Sequence, residues 1–167
     1  MKKIIIIGPG GSGKSYFAKE LHDILNIPLY HLDNLFWNVN KIHISREEFD
    51  FKLNQILMKN SYIIDGDYSR TYEIRMQQAD TIFFFNFSLE DSLAGASSRV
   101  GTKRTDCPFV ETEFDPEFKE FLINWQSQTK PFVKELLAKY KNKNIIVFNN
   151  RDDKIKYIEE LKSHSLN

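Results

Sequence analysis

Residues Gly8-Pro9-Gly10-Gly11-Ser12-Gly13-Lys14-Ser15 fit G-x-x-x-x-G-K-[ST] at every required position. They follow the apolar run Ile4-Ile5-Ile6-Ile7 and precede Phe17, Ala18, Leu21, Ile24 and Leu25, which recur at helical spacing with Lys19, Glu20 and Asp23 opposite. A strand, a glycine-rich turn and a helix in that order leave few folds open. Glycine backbones bend tightly and turn successive N–H groups inward as an anion-binding nest. The loop then feeds a helix N-terminus, whose unpaired N–H groups and partial positive charge also favour phosphate. Gly8, Gly10, Gly11, Ser12, Gly13, Lys14 and Ser15 are therefore expected to grip a nucleoside triphosphate. Lys14 would reach the β- and γ-phosphates and the Ser15 hydroxyl would ligate Mg²⁺.

The rest of the chain repeats the alternation. Ile27-Pro28-Leu29-Tyr30-His31-Leu32 reads as a second strand, with Pro28 tolerable because it stands at the start. Ser45-Arg46-Glu47-Glu48 is a capping box ahead of Phe49, Leu53, Ile56 and Leu57 on one helical face. Ser61-Tyr62-Ile63-Ile64 and Thr81-Ile82-Phe83-Phe84-Phe85 are further strands, the latter apolar throughout as a strand covered on both faces should be. Ser88-Leu89-Glu90-Asp91 opens another helix.

From Arg99 to about Glu113 periodicity gives way to Gly, Pro, Thr and charge, which predicts a loop or lid. Asp115-Pro116 starts a helix with Phe118, Phe121, Leu122 and Trp125 on one face. Pro131 should kink or break it, and Phe132, Val133, Leu136, Leu137 and Tyr140 continue the stripe. Asn144-Ile145-Ile146-Val147-Phe148 is a fifth strand, and a closing helix from Asp152 turns Ile155, Ile158 and Leu161 inward.

Strands alternating with helices predict an α/β fold with a mainly parallel sheet and right-handed crossovers. At 167 residues, with no linker or repeat, one domain over 1–167 is expected. Lys+Arg and Asp+Glu each number 23, which argues against a strong, non-specific grip on nucleic acid. The single Cys107 suits a reducing compartment. Met1-Lys2-Lys3 is followed by only four apolar residues, too few for a signal peptide, and no stretch approaches membrane-spanning length. The expectation is a cytoplasmic protein with no membrane partner.

Ligands of such sheets gather outside the carboxyl ends of the strands. That directs attention to Asp33, to Asp65 through Arg75, to Asn86, and to Asn149 through Asp152. Asp65 follows Tyr62-Ile63-Ile64 as a Walker B aspartate follows its strand, and is expected to hold Mg²⁺. Asp33 is a second carboxylate, for the metal or for an acceptor. Phosphoryl transfer is mostly positioning and charge neutralisation, so Arg70, Arg75, Arg99, Lys103 and Arg104 are candidates for phosphate contact. Asn149-Asn150-Arg151-Asp152 lacks the lysine of a guanine-reading N-K-x-D, and Asp65-Gly66-Asp67-Tyr68 is not a D-x-x-G switch. A GTPase is set aside.

Several blocks together resemble the DNA topology modulation protein family, which is itself similar to adenylate kinase. They are Ile4 to Ser15, Pro28-Leu29-Tyr30-His31-Leu32-Asp33-Asn34-Leu35-Phe36-Trp37, Ile63-Ile64-Asp65-Gly66-Asp67-Tyr68, Thr71, Arg75 and Ala79-Asp80. The resemblance implies a three-layer fold around a five-stranded sheet of order 2-3-1-4-5. It implies an acceptor-binding helical segment at about 34–59, a short lid from Arg99 to about Pro108, and Arg151 near the nucleotide base. Asp65-Gly66-Asp67-Tyr68-Ser69-Arg70-Thr71 also looks like the D-G-F-P-R-T segment of adenylate kinases, which would assign Asp65 to magnesium and Arg70 to the acceptor's phosphate. The chain departs from the family's pattern at Asp67, where Asn is usual, and in Ala94-Gly95-Ala96-Ser97-Ser98, where Arg and Lys are usual.

The expected activity is ATP- and Mg²⁺-dependent phosphoryl transfer to a small acceptor, a nucleotide or nucleoside. Lys14, Arg70, Arg75, Arg99 and Arg104 would serve the transferring group. Asp33, Phe36, Trp37, Asp67, Arg70 and Arg75 would face the acceptor, with Asp33 or Asp67 as base if the acceptor is a hydroxyl. An ATP-binding regulator of DNA topology without robust transfer is the alternative. Trp125, Phe83 to Phe85 and His31 read as structural, and Cys107 as no nucleophile.

Overall fold

The computed structural model describes residues 1–165. Its sheet has strands β1 (Lys3–Ile7), β2 (Leu29–His31), β3 (Tyr62–Asp65), β4 (Thr81–Phe85) and β5 (Asn144–Phe148), ordered β2-β3-β1-β4-β5. Every neighbouring pair is parallel. The carboxyl ends therefore share one rim, and the phosphate loop springs from the central strand.

Among the described residues, eight α-helices connect and cover the strands. They are α1 (Lys14–Leu25), α2 (Leu32–Phe36), α3 (Arg46–Leu57), α4 (Tyr72–Gln78), α5 (Leu89–Ser98), α6 (Pro116–Asn124), α7 (Lys130–Lys139) and α8 (Arg151–Ser165). The apolar strands still obey a period of two. Ile5, Ile7, Tyr62, Ile64, Ile82 and Phe84 face one core with residues of α3, α4 and α7. Ile4, Ile6, Ile63, Phe83 and Phe85 face the other, with Phe17 of α1 and Ile158 of α8. Phe17 meets Phe83, Phe85 and Phe148 edge-on at 4.9, 5.5 and 5.2 Å, which locks α1 behind the phosphate loop.

Local chemistry starts the helices where the sequence places it. Ser45 accepts the Glu48 N–H, Ser88 the Asp91 N–H and Asp115 the Glu117 N–H. Pro131 neither breaks nor ends the path. A single π-helical turn, Trp125–Thr129, joins α6 to α7 just upstream, and its wider winding accommodates the proline's missing donor and bulky ring. The expected helical segment 34–59 is split into α2 and α3 by a turn closed by a Trp37–His43 bridge. Three residues placed on inward stripes stand out instead: Phe121, Phe132 and Ile155 are 45%, 42% and 48% exposed. On α8 it is Tyr157, two residues on, that meets Phe83 at 5.2 Å. No described helix is long and apolar enough to cross a membrane.

Candidate functional site

The phosphate loop is shaped by Gly8, Gly11 and Gly13, whose φ of +146°, +75° and +85° would strain any other residue. Gly8 forms the bend against Phe85 and does not line the cavity. Ser12 Oγ donates to the Pro9 carbonyl at 2.8 Å, and Lys14 Nζ reaches the same oxygen at 2.7 Å across the mouth of the loop. Behind it, α5 comes so close that a methyl on Gly11 would sit 2.6 Å from the Ala96 nitrogen. Ser92, Gly95 and Ala96, spaced three and four apart, supply the small face this contact requires. That is a physical reason for small residues in Ala94 to Ser98.

The loop opens into a cavity of about 1280 Å³. Single-ligand pockets run to roughly 1,000 Å³, so the space suits two ligands side by side. Gly10 to Ser15 lie at one end with Tyr16, Arg151 and Lys154. Lys154 Nζ sits 5.4 Å over the Tyr16 ring and 3.9 Å from where a Gly13 methyl would stand. Burial holds the Lys154 ammonium below its ordinary pKa.

Across the cavity stand Asp33, Asp65 and Asp67, with Phe36, Trp37 and Tyr68. Asp65 ends β3, 3% exposed. Its Oδ2 meets His31 Nδ1 at 2.8 Å, and its Oδ1 is buried with no hydrogen-bond partner. For His31, burial opposes protonation, but the hydrogen bond and charge of Asp65, with Asp106 and Asp33, outweigh it and raise the imidazole pKa. Asp33, in the first turn of α2, accepts the Tyr68 hydroxyl at 2.8 Å. Burial pushes its carboxyl up against that bond, helped by the charges of Asp65 and Asp106. Asp67 is likewise pushed up by burial, against the pull of Lys14 and of its donors Tyr72 and Trp125. Trp125 Nε1 donates to Asp67 Oδ1 at 3.0 Å. Trp125 is core, as the sequence suggests, and also fixes a cavity carboxylate.

The lid segment, 99–113, carries no helix and folds onto α2. Asn34 Nδ2 donates to the Thr105 carbonyl at 2.7 Å, and Trp37 meets Phe109 edge-on at 6.0 Å. Arg99 and Arg104 line the cavity, each neutralised within the lid. Arg99 Nε lies 3.1 Å from Glu111, and Arg104 lies 3.4 Å from Asp106 and 3.6 Å from Glu111.

Two arginines expected at the acceptor go elsewhere. Arg70 leaves a 3-10 turn, Ser69–Thr71, outward, and binds both oxygens of Asp50 on α3 at 2.9 and 2.6 Å. Arg75 is fully buried on α4, and its guanidinium donates to the carbonyls of Gly66, Asp67, Tyr68 and Thr71. Neither lines the cavity. Arg70 is drawn off by a surface carboxylate, and Arg75 is consumed by carbonyls of the loop after β3.

Tyr68 is the site residue whose role sequence reasoning passed over. Its φ of +34° turns its ring into the cavity wall, stacked on Phe49 at 5.0 Å and placing its hydroxyl on Asp33. Strained backbone held at such a point marks a functional position. Lys154 was also missed, although it follows Arg151 by one helical turn.

The residues present fit a bound triphosphate and one magnesium ion. The loop is a ready anion nest, Asp65 Oδ1 has an unspent lone pair, and Ser15 lies at the loop's end. Among the described residues no three His, Cys, Asp or Glu side chains form a metal cage. Magnesium binds through one or two carboxylates and substrate phosphates, so Ser15 and Asp65 are the protein ligands on offer.

No family model and no curated protein sequence matches the chain. Among solved structures it is similar to the Acinetobacter baumannii shikimate kinase bound to shikimate, with a TM-score of 0.63 and 14% identity over 100% of this chain and 96% of that one. The Bacteroides thetaiotaomicron shikimate kinase gives 0.57 and 17% over 96% of each chain. A sugar kinase from a Janibacter species gives 0.51 and 18% over 99% of this chain and 92% of that one. The fold is that of a small P-loop kinase. At these identities the likeness bears on the fold alone, and the chemistry rests on the cavity.

Proposed function

We propose that this chain is an ATP- and Mg²⁺-dependent phosphotransferase acting on a small acceptor, a nucleotide or a nucleoside. One observation carries the reading: the phosphate loop and Asp33, Asp65 and Asp67 face each other across one cavity large enough for donor and acceptor together. The loop amides and Lys14 would bind the β- and γ-phosphates, Lys14 exchanging the Pro9 carbonyl for phosphate oxygen. Ser15 and Asp65 would hold magnesium, which supplies further neutralisation of phosphate charge. Arg99 and Arg104 enter from the lid, trading their carboxylate partners for the transferring group.

For a hydroxyl acceptor, Asp33 would take the proton as the new P–O bond forms and the bond to the β-phosphate oxygen breaks. Tyr68 fixes the carboxylate's orientation, and the raised pKa brings it nearer the range useful to a base. The segments 34–59 and 99–113 would serve as acceptor wall and lid of a single catalytic domain.

The resemblance to DNA topology modulation proteins supports the same reading at family level. Its two specific blocks supply Asp33, Phe36, Trp37, Asp65, Asp67 and Tyr68, all on the cavity wall. ADP release measured over nucleotides, nucleosides and sugars tests the proposal. Acceptor-dependent turnover abolished by Lys14→Ala is expected. ATP binding without turnover on any acceptor would favour the regulatory alternative and refute this one.

A further inference from the structure

We infer that the acceptor is an electrically neutral hydroxylated ring compound, a nucleoside or sugar, and not one bearing phosphate or carboxylate; this rests on the phosphotransferase reading. The argument is an account of where each charge near the acceptor wall is already committed. An enzyme that selects an anionic acceptor holds it with guanidinium groups that have no other partner. Here the four arginines closest in sequence to that role are all engaged. Arg70 is paired with Asp50 outside the cavity, and Arg75 is spent on backbone carbonyls. Arg99 and Arg104 share Glu111, Arg104 also reaches Asp106, and both would serve the transferring phosphoryl group.

The carboxylates at the acceptor end are held in place by hydrogen bonds. Asp33 accepts from Tyr68, Asp67 from Trp125 and Tyr72, and Asp65 from His31. Tyr68, Tyr72 and Trp125 are uncharged donors, so they orient Asp33 and Asp67 without ion pairing. Lys41 and Lys103 reach the mouth of this end from exposed positions, Lys41 with its ammonium 5.3 Å over the Phe109 ring.

The donor end differs. Among the described residues, no carboxylate lies within ion-pair distance of Lys14, Arg151 or Lys154, which leaves these cations for a triphosphate. An anion placed beside Asp33 would meet like charge, since Lys14, a cation whose charge reaches Asp33, is taken by the triphosphate. The remaining wall is aromatic. Phe36, Trp37 and Phe109 are packed edge-on to one another in sequence, at 5.0 and 6.0 Å, and offer ring faces and edges to a flat or cyclic molecule. Ring faces for packing, carboxylates for hydroxyls and no unpaired guanidinium on the acceptor wall describe a neutral polyhydroxyl ring.

Matched acceptors that differ in charge test this on the full chain: adenosine against AMP, a hexose against its 6-phosphate and its uronic acid, and the hexose against its amino sugar. Turnover and ligand affinity in the presence of ADP are both measured. Neutral members are expected to exceed their anionic partners by about a hundredfold in kcat/KM, the scale of one uncompensated like-charge contact. Asp106→Asn, which withdraws one partner of Arg104, should narrow that ratio by about tenfold by freeing a cation.

An anionic member that turns over or binds as well as its neutral partner overturns the inference and leaves the phosphotransferase reading standing. An amino sugar preferred to its parent hexose overturns it too. If no neutral member binds, the inference fails, and Lys14-dependent ATP turnover measured alongside shows whether the wider reading fails with it.

Discussion

Gly95→Ala sets two physical effects of opposite sign against each other. On helix propensity alone the change should stabilise, since alanine is favoured over glycine in a helix interior by about 1 kcal/mol. Gly95 lies within α5 and its backbone would accept alanine without strain. Packing says the reverse. A methyl at Gly95 would overlap the Gly11 carbonyl oxygen, lie 2.9 Å from its carbon, and stand 3.4 Å from an Arg151 nitrogen. The first two are backbone atoms of the phosphate loop, so relief requires moving the loop or the helix. Overpacking of this kind costs about 1–3 kcal/mol, and a contact with fixed backbone takes the upper end.

The net is a loss of about 2 kcal/mol, or a fall in Tm of about 4–8 °C for a chain of this length. Because the displaced atoms belong to the nest, ATP affinity should fall about tenfold as well. Thermal melting with and without ATP, beside calorimetric titration, reads both. Gly101→Ala serves as control: it has open space around it but a φ of +75°, so it should cost about 1 kcal/mol and leave ATP binding alone. A Gly95→Ala chain that melts no lower than the parent and binds ATP as tightly would refute the reasoning.

Three further outcomes follow from the geometry. Arg75→Met should cost about 2–5 kcal/mol in denaturant titration, because it strips the Arg75 donors from the Gly66 and Asp67 carbonyls; a mutant of parental stability with weakened acceptor binding would contradict its placement. Arg70→Ala breaks an exposed pair and should cost under about 1 kcal/mol, with acceptor KM within about twofold, and a tenfold rise would return it to the site. The raised His31 pKa means the folded state binds the proton more tightly, so the stability it contributes is complete below the ordinary value of 6.5 and is lost as pH rises through the higher folded value. Wild type's margin over His31→Gln in urea should therefore shrink with rising pH, and a margin that grows would sink the account.

What the sequence made legible is what depends on neighbours along the chain. The phosphate loop, the caps at Ser45, Ser88 and Asp115, and the alternation of strand and helix are local patterns, and the structure follows each. The strand-end rule then brought Asp33, Asp65 and Asp67 to one cavity. What spacing does not encode is direction out of a turn. Arg70 and Arg75 follow the right strand, but one is claimed by Asp50, twenty residues earlier, and the other turns back beneath its own loop. The Trp125–Asp67 bond spans 58 positions, and nothing near either residue announces it. The small residues of α5 have their meaning only when Gly11 is seen against them. The π-helical turn before Pro131 is a compromise settled by packing, which a proline rule alone reads as a break.

The two walls of the cavity hang from very different places in the sheet. The phosphate loop continues β1, the middle strand, hydrogen-bonded on both sides to β3 and β4. Asp33, Phe36 and Trp37 follow β2, a three-residue strand at the margin with β3 as its single neighbour. Amide exchange should be slowest beneath the donor and fastest beneath the acceptor, since local opening begins where the fewest bonds must break. The same gradient makes one half of the site costly to alter and the other cheap. A lineage built on this frame can re-cut the segment from α2 to α3 while the phosphate loop stays fixed at the centre.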